Sequence, residues 1–229
     1  MRNKFGFLIL ILFGLLISCS HRQQSATLKF SGTLELTEYS LGSKIPGAIA
    51  SLGVNEGDQV KAGQVIATLD RYEQAKKDYE RTAMLFKQGG TTAQALEYAA
   101  LARDDQAIIS PVDGIVLVKV HEVGETVAAG GVIVVIGDTN NFWIKIYVPE
   151  GVINKIQLQQ PATLHFDGIK ESSPGHISYI SPKAEFTPRN VQTHEERITQ
   201  TFAVKVALDN PSASLHPGVA ADVTIKTDK

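Results

Sequence analysis

Six histidines, one cysteine and a scatter of serines and acids are the side chains of this sequence that could carry out chemistry. Their spacing argues against it. His21, His121, His165, His176, His194 and His216 never fall three or four residues apart, so no helix face can offer two of them to one metal ion. The single cysteine, Cys19, can make neither an intramolecular disulfide nor a cysteine-rich zinc site. There is no Gly-x-Ser-x-Gly elbow to sharpen a serine nucleophile and no Walker loop to cradle a phosphate. Glu195-Glu196-Arg197 reads as a solvated charge run. The chain is expected to be no enzyme and to hold no metal or cofactor. Three features remain whose residue types and spacing suggest attachment rather than catalysis. They are Cys19 near the start, six glycines in two matched sets, and the trio Arg81, Leu85 and Thr92.

The 229 residues carry 22 Lys+Arg against 24 Asp+Glu, a net charge of -2. That balance argues against nucleic acid as a partner, which would call for a basic face. A hydrophobic fraction of 43% with nine Phe, six Tyr and one Trp can fill the core of one or two domains.

Two positive charges, Arg2 and Lys4, precede an uncharged stretch at residues 5–17. That stretch is short of the roughly 20 apolar residues needed to cross a bilayer and fits the apolar region of a signal peptide. Leu16-Ile17-Ser18-Cys19 resembles a bacterial lipobox. The resemblance implies a signal peptide at 1–18, cleavage before Cys19, and lipid on its sulfur and its new amino group. A lipid-anchored linker at 19–26 follows. Two or more acyl chains anchor a protein stably. The alternatives are an ordinary signal peptide with a chance cysteine, or a short anchor helix. Ser20 resembles an outer-membrane sorting residue and leaves the outer membrane open. The place implied is the periplasmic face of the cell envelope.

The middle of the chain repeats itself. Gly47, Gly57 and Gly63 recur as Gly114, Gly124 and Gly130, with one offset of 67 residues. Around them Asn55-Glu56-Gly57-Asp58-Gln59-Val60 matches Glu122-Val123-Gly124-Glu125-Thr126-Val127, and Ile45-Pro46-Gly47 matches Val112-Asp113-Gly114. Short β-branched runs read as strands and the glycine-acidic steps as turns. All six glycines are expected as turn residues. Each copy is a β unit too small to bury a core alone, so the two should pack face to face, with strands interleaved.

This pattern resembles the two halves of a biotinyl/lipoyl domain split by an insertion, here at 43–70 and 107–138. A split lipoyl-like domain marks the periplasmic adaptors, also called membrane fusion or HlyD-like proteins. Carrier domains place a modified lysine, usually beside methionine, where this chain has its insertion, and no Met-Lys pair occurs. A carrier role is therefore not expected.

The insertion, 71–106, reads as an α-helical hairpin. Asp70 with Glu73 forms a capping-box pattern, and Thr91 with Gln94 a second one. Tyr72, Ala75, Tyr79, Ala83 and Phe86 recur at steps of three and four, and Gly89-Gly90 ends the first helix. In adaptors an Arg, a Leu four residues on and a Ser or Thr seven further dock onto an outer-membrane channel. Arg81, Leu85 and Thr92 stand at that spacing, so the resemblance implies an outer-channel docking tip. On their residue types alone they are equally a solvated arginine, a core leucine and a helix cap. The hairpin is short for the family.

The remainder, 27–42 and 139–229, reads as a discontinuous small β-barrel. Leu28, Phe30, Leu34 and Leu36 alternate with polar residues, 142–148 is expected as a buried strand, and further strands are expected at 162–166, 175–181, 202–208 and 219–227. Ser181-Pro182-Lys183-Ala184-Glu185-Phe186-Thr187-Pro188-Arg189-Asn190-Val191-Gln192-Thr193 resembles a segment common in adaptors that serve ABC exporters. The whole is mainly β, with a split lipoyl-like domain, an inserted hairpin and a barrel. By resemblance it is a lipoprotein adaptor joining an inner-membrane ABC-type transporter to a TolC-like outer-membrane channel. It would assemble with itself as a trimeric or hexameric ring, and that role favours the inner membrane for its lipid. The other reading is an envelope lipoprotein with a carrier or ligand-binding role unrelated to export.

Overall fold

The computed structural model describes residues 26–186, 200–211 and 215–227. The lipidation candidate Cys19, the Glu195-Glu196-Arg197 run and most of the ABC-exporter-like segment lie outside the described residues. The strands are β1 Ala26–Gly42, β2 Gly47–Leu52, β3 Gln59–Val60, β4 Val65–Leu69, β5 Ala107–Ile109, β6 Gly114–Lys119, β7 Thr126–Val127, β8 Val132–Pro149, β9 Pro161–Phe166, β10 Ser173–Phe186, β11 Gln200–Leu208 and β12 Ala220–Thr227. The helices are α1 Tyr72–Lys87, α2 Ala93–Asp104 and α3 Glu150–Ile153.

Six strands close into a barrel in the order β1-β12-β9-β10-β11-β8 and back to β1, all pairs antiparallel. Closure leaves no free edge and one dry face per strand. Residues 142–148, expected as a buried strand, are therefore buried on one side only. Phe142, Ile144, Ile146 and Val148 fill the barrel, while Trp143, Lys145 and Tyr147 stand outside it. Leu34, Leu164, Phe166, Ile177, Val204, Val206, Val223 and Ile225 complete the interior, each at 1% exposure or less. Burial of each such side chain contributes about 1.5–3 kcal/mol.

β1 and β8 do not stop at the barrel. Residues 38–42 pair with residues 132–137, and Leu41 packs in a second core. Residues 38–42, expected with the barrel, thus belong to the sandwich above it. At the crossing Leu36 pairs with Phe142 and Glu38 with Gly137, so β8 carries residues 138–141 opposite Thr37 alone. Asp138, 3% exposed, holds this bulge by accepting from the Asn140 backbone N–H at 2.9 Å and the Asn141 side-chain amide at 2.6 Å.

The sandwich consists of two four-stranded layers. One runs β5-β4-β2-β7; the other runs from the far part of β1 through the near part of β8 to β6 and β3. The helical hairpin leaves it after β4 and returns at β5. Neither α1 nor α2 contains a buried residue. The expected caps are displaced. Arg71, not Asp70, is the N-cap of α1, and it makes no side-chain cap bond. Thr92, not Thr91, caps α2, its Oγ1 accepting from the Ala95 N–H at 3.2 Å. Gln94, expected to reach back to the cap, bonds forward to the Tyr98 hydroxyl at 3.4 Å instead.

Candidate functional site

The 67-residue repeat is a twofold pattern of hydrogen bonds. Gly63 N–H donates to Ser110 O, and Gly130 N–H to Ser43 O. Gly57 N–H donates to Val116 O, and Gly124 N–H to Ile49 O. Ile49 N–H donates to Glu125 O, and Val116 N–H to Asp58 O. Ser43 and Ser110, both nearly fully buried, each bond the carbonyl two residues on. Each of these bonds thus has its counterpart in the other half, and most cross between the halves. The core repeats likewise: Ile49, Val60, Ile66, Ala67 and Leu69 correspond to Val116, Val127, Ile133, Val134 and Ile136.

The six repeat glycines divide by role. Gly57, Gly63, Gly124 and Gly130 have φ of +89°, +81°, +92° and +81°, in turns. Gly47 and Gly114 are not turn residues. They open β2 and β6, paired with Val127 and Val60 respectively. Gly114 is glycine because of a close approach, since a Cβ there would lie 2.3 Å from the Gly137 carbonyl oxygen.

The same symmetry fixes where the outer parts attach. The hairpin occupies the gap between residues 70 and 107. The equivalent positions, 137 and 40, are where β8 and β1 pass to and from the barrel. Hairpin and barrel therefore leave the sandwich through symmetry-related exits.

At the tip, Gly89 at φ +72° and Gly90 turn the chain, with the Gly90 N–H bonded to Leu85 O at 2.8 Å. Arg81, its side chain 70% exposed, makes an ion pair with Asp78 at 3.5 Å. Such an exposed pair contributes about 0–1 kcal/mol and can be given up to a partner. Leu85 is 43% exposed in the last turn of α1, on the face of Arg81. Thr92 is exposed, and its hydroxyl oxygen is engaged as the α2 cap. Met84 at 63% and Phe86 at 41% widen the apolar tip. The trio left these two out, although Phe86 was readable on the helix-contact face and Met84 stands next to Leu85. With 16 residues, α1 reaches about 24 Å at 1.5 Å per residue.

The hairpin is held at its base by Arg103. Its guanidinium donates to Asp104 at 2.7 and 2.8 Å, which raises its pKa, and lies 4.1 Å over the Tyr79 ring. In the second-half turn, the His121 ring bonds Glu125 at 2.6 Å and, with the Glu122 backbone N–H, holds that carboxyl below its ordinary pKa. A crevice of about 880 Å³ separates sandwich and barrel, lined by Gln59, Lys61, Thr139 and His216 among others. Among the described residues no group of three His, Cys, Asp or Glu side chains could hold a metal, and no helix is long and apolar enough to cross a membrane.

Residues 38–138 match the family model of the CzcB-like barrel-sandwich hybrid domain. Residues 141–229 match that of the CusB-like β-barrel domain. A UPF0194 membrane protein encoded in the asrC 5' region of Acidithiobacillus ferridurans is 34% identical over 122 residues, 53% of this chain and 36% of that protein. The chain thus spans about a third of that relative's length. A UPF0194 membrane protein of Citrobacter koseri is 21% identical over 301 residues, covering 90% of this chain and 91% of its own. Among solved structures, a MacA-MexA chimeric protein containing the Pseudomonas aeruginosa MexA α-hairpin domain superposes with a TM-score of 0.61 at 22% identity. It covers 89% of this chain and 82% of its own, and shares the fold.

Proposed function

Because the chain belongs to the membrane fusion protein, or periplasmic adaptor, family through its two matched domains, we propose that it couples an inner-membrane ABC-type transporter to a TolC-like outer-membrane channel. The observation that carries the reading is the pair of symmetry-related exits from the sandwich. One holds a closed barrel and the other a hairpin ending in exposed side chains. The protein works by joining two partners across a spacing, not by turning over a substrate.

In this reading the barrel faces the transporter, anchored by lipid at Cys19, and copies associate through their sandwiches as a trimeric or hexameric ring. The tip docks on the channel. Arg81 donates several hydrogen bonds to carbonyl or carboxylate groups, and Leu85 supplies apolar contact beside Met84 and Phe86. The hairpin's short reach requires the channel to descend toward the sandwich or the adaptor to stack.

A photo-reactive amino acid in place of Leu85 tests this in cells. Irradiation should give an adduct with an outer-membrane channel, and a probe at the barrel residue His165 should not. Absence of any channel adduct from Leu85, Met84 or Phe86 positions in an exporting cell would defeat the docking reading. Radioactive palmitate should label the wild type and not Cys19→Ala; equal labelling would remove the lipid anchor.

A further inference from the structure

The two outer walls of the barrel differ in chemistry. On the β1-β12-β9 side, Asp222 lies between Ser31 and His165 in one cross-strand row, Thr224 between Lys29 and Thr163 in the next, and Lys226 opposite Thr27 beyond it. This wall is polar and carries lysines, but no Trp, Tyr or Phe stands among these residues. On the β8-β11-β10 side stand Trp143, Tyr147 and Tyr179, the two tyrosines 39% and 44% exposed. Between them lie Lys145 and Lys205, direct partners across β8 and β11. Like charges directly opposite one another destabilise a sheet. Each ammonium is drawn aside over a ring: Lys205 lies 4.1 Å from the Trp143 centroid and Lys145 5.4 Å from that of Tyr147. Glu35 accepts the Trp143 indole N–H at 3.1 Å. Tyr147, Glu35 and Glu185 favour the charge on Lys145 and raise its pKa, so the lysine pair is held charged within an aromatic field on one outer wall.

We propose that this wall rests on the headgroup zone of an anionic bilayer when the protein is not engaged with its partners. Amphipathic rings favour the membrane–water boundary, and lysines can lay their stems along apolar surface while the heads meet lipid phosphates. The length of the chain before the barrel also fits, a point that rests on the lipid-anchor reading above. β1 starts at Ala26, seven residues after Cys19, so the tether spans at most about 25 Å. Thr33, the β1 partner of Lys145, lies seven residues into β1, about 23 Å at 3.3 Å per residue. Tether and wall are matched in length, so the wall can fold down onto the surface that holds the anchor. Engagement of the transporter would lift it.

Two single residues make the test direct. Cys19 is the sole cysteine, so a chain beginning there, which keeps every described residue, can be coupled to maleimide-headed lipid whether or not cells lipidate it. Trp143 is the sole tryptophan, so its emission reports this wall alone. In vesicles of phosphatidylcholine and phosphatidylglycerol, the coupled protein should show a blue-shifted emission and quenching by brominated acyl chains. The Lys145→Gln/Lys205→Gln variant should lose both while its thermal midpoint and circular dichroism stay those of the wild type. Without coupling, its partition onto the same vesicles should fall about thirty-fold, roughly five-fold per lysine. Unquenched, unshifted Trp143 emission in the coupled wild type would overturn the proposal. So would an emission shift that follows protein concentration without lipid, which would mean that a second copy covers the wall. Failure of palmitate labelling in cells would remove the natural anchor and leave this measurement of the wall standing on its own.

Discussion

Replacing Gly114 by alanine should do far more harm than replacing Gly124, although the sequence presents them as members of one repeated set. At Gly124 a Cβ meets nothing within 4 Å, so the only cost is the backbone at φ +92°. That strain amounts to about 1–2 kcal/mol for an L-residue. Gly57, at φ +89° with equally open surroundings, should cost the same. At Gly114 the Cβ would sit 2.3 Å from the Gly137 carbonyl oxygen and 2.8 Å from Ile136 Cγ2. The oxygen belongs to β8, paired with β6 through Ile115 and Gly137, so relief requires spreading that ladder. Overpacking costs about 1–3 kcal/mol and a lost ladder bond about 1 more, for a total near 3 kcal/mol. At about 2–4 °C per kcal/mol for a chain of this size, Gly114→Ala should lower the thermal midpoint by about 6–12 °C. The two turn variants should each lower it by about 2–8 °C. Thermal unfolding by circular dichroism, with urea midpoints at constant slope, reads all three. A Gly114→Ala midpoint equal to that of Gly124→Ala would refute the close-approach argument. Gly57 and Gly124 variants differing by more than about 1 kcal/mol would refute the equivalence of the turns.

Arg81→Asp should abolish export with a change in stability of about 1 kcal/mol or less, since its side chain is 70% exposed and gives up only a surface pair with Asp78; normal export by this variant and by Leu85→Ser, at normal protein level, would show that the tip is only a helix turn. Thr92→Ala removes the α2 cap and should weaken that helix by about 1 kcal/mol, seen as faster hydrogen exchange at Ala95 and Leu96 while the sandwich amides keep their protection. Glu125 titrates below an ordinary glutamate, so its contribution is fully present above the unfolded-state pKa and is lost as pH falls through the depressed folded one. Its NMR midpoint should rise toward the ordinary value in His121→Ala, and an unmoved midpoint would remove His121 as the main cause.

The repeat, the hairpin and the barrel were legible because each rests on local pattern. Glycines at a fixed offset mark backbone that a side chain would strain, and Tyr72, Ala75, Tyr79 and Ala83 trace the helix face turned to α2. The alternation of Leu28, Phe30, Leu34 and Leu36 likewise marks a strand with one wet side. What failed locally was decided by tertiary partners. Asp70 stands at the right distance from Glu73, yet its backbone N–H is taken by Ala48 O at 2.9 Å, which binds it to the sandwich rather than the helix start. Gly114 looks like Gly124 until the strand carrying Gly137 is laid beside it. Residues 142–148 read as buried because Trp143 and Tyr147 count as apolar, although Lys145 between them already marked an outward face. The passage of β1 and β8 through both cores could not be read at all, since each half of each strand looks complete in itself.

That passage bears on how such an adaptor varies. The barrel is joined to the sandwich by two paired strands and a bulge held by a buried aspartate, so it inherits the register of the sandwich. The hairpin leaves through the equivalent exit but contributes no buried residue to any core. It is held at its base by Arg103 stacked on Tyr79 and by the Lys44–Asp105 ion pair at 3.4 Å, both at the surface. Helical turns can therefore be added to or removed from α1 and α2 in register at little cost to the sandwich, whereas a residue inserted in β1 or β8 would turn the rest of that strand's side chains to the opposite face unless a bulge absorbed it. The alignment of 301 positions with the Citrobacter koseri relative, against 229 residues here, requires extra residues in that protein. On this reasoning the hairpin is where the fold accepts them most readily. Reach is then set by the partner to be met, while the spacing between barrel and sandwich is set by the strands that run through both.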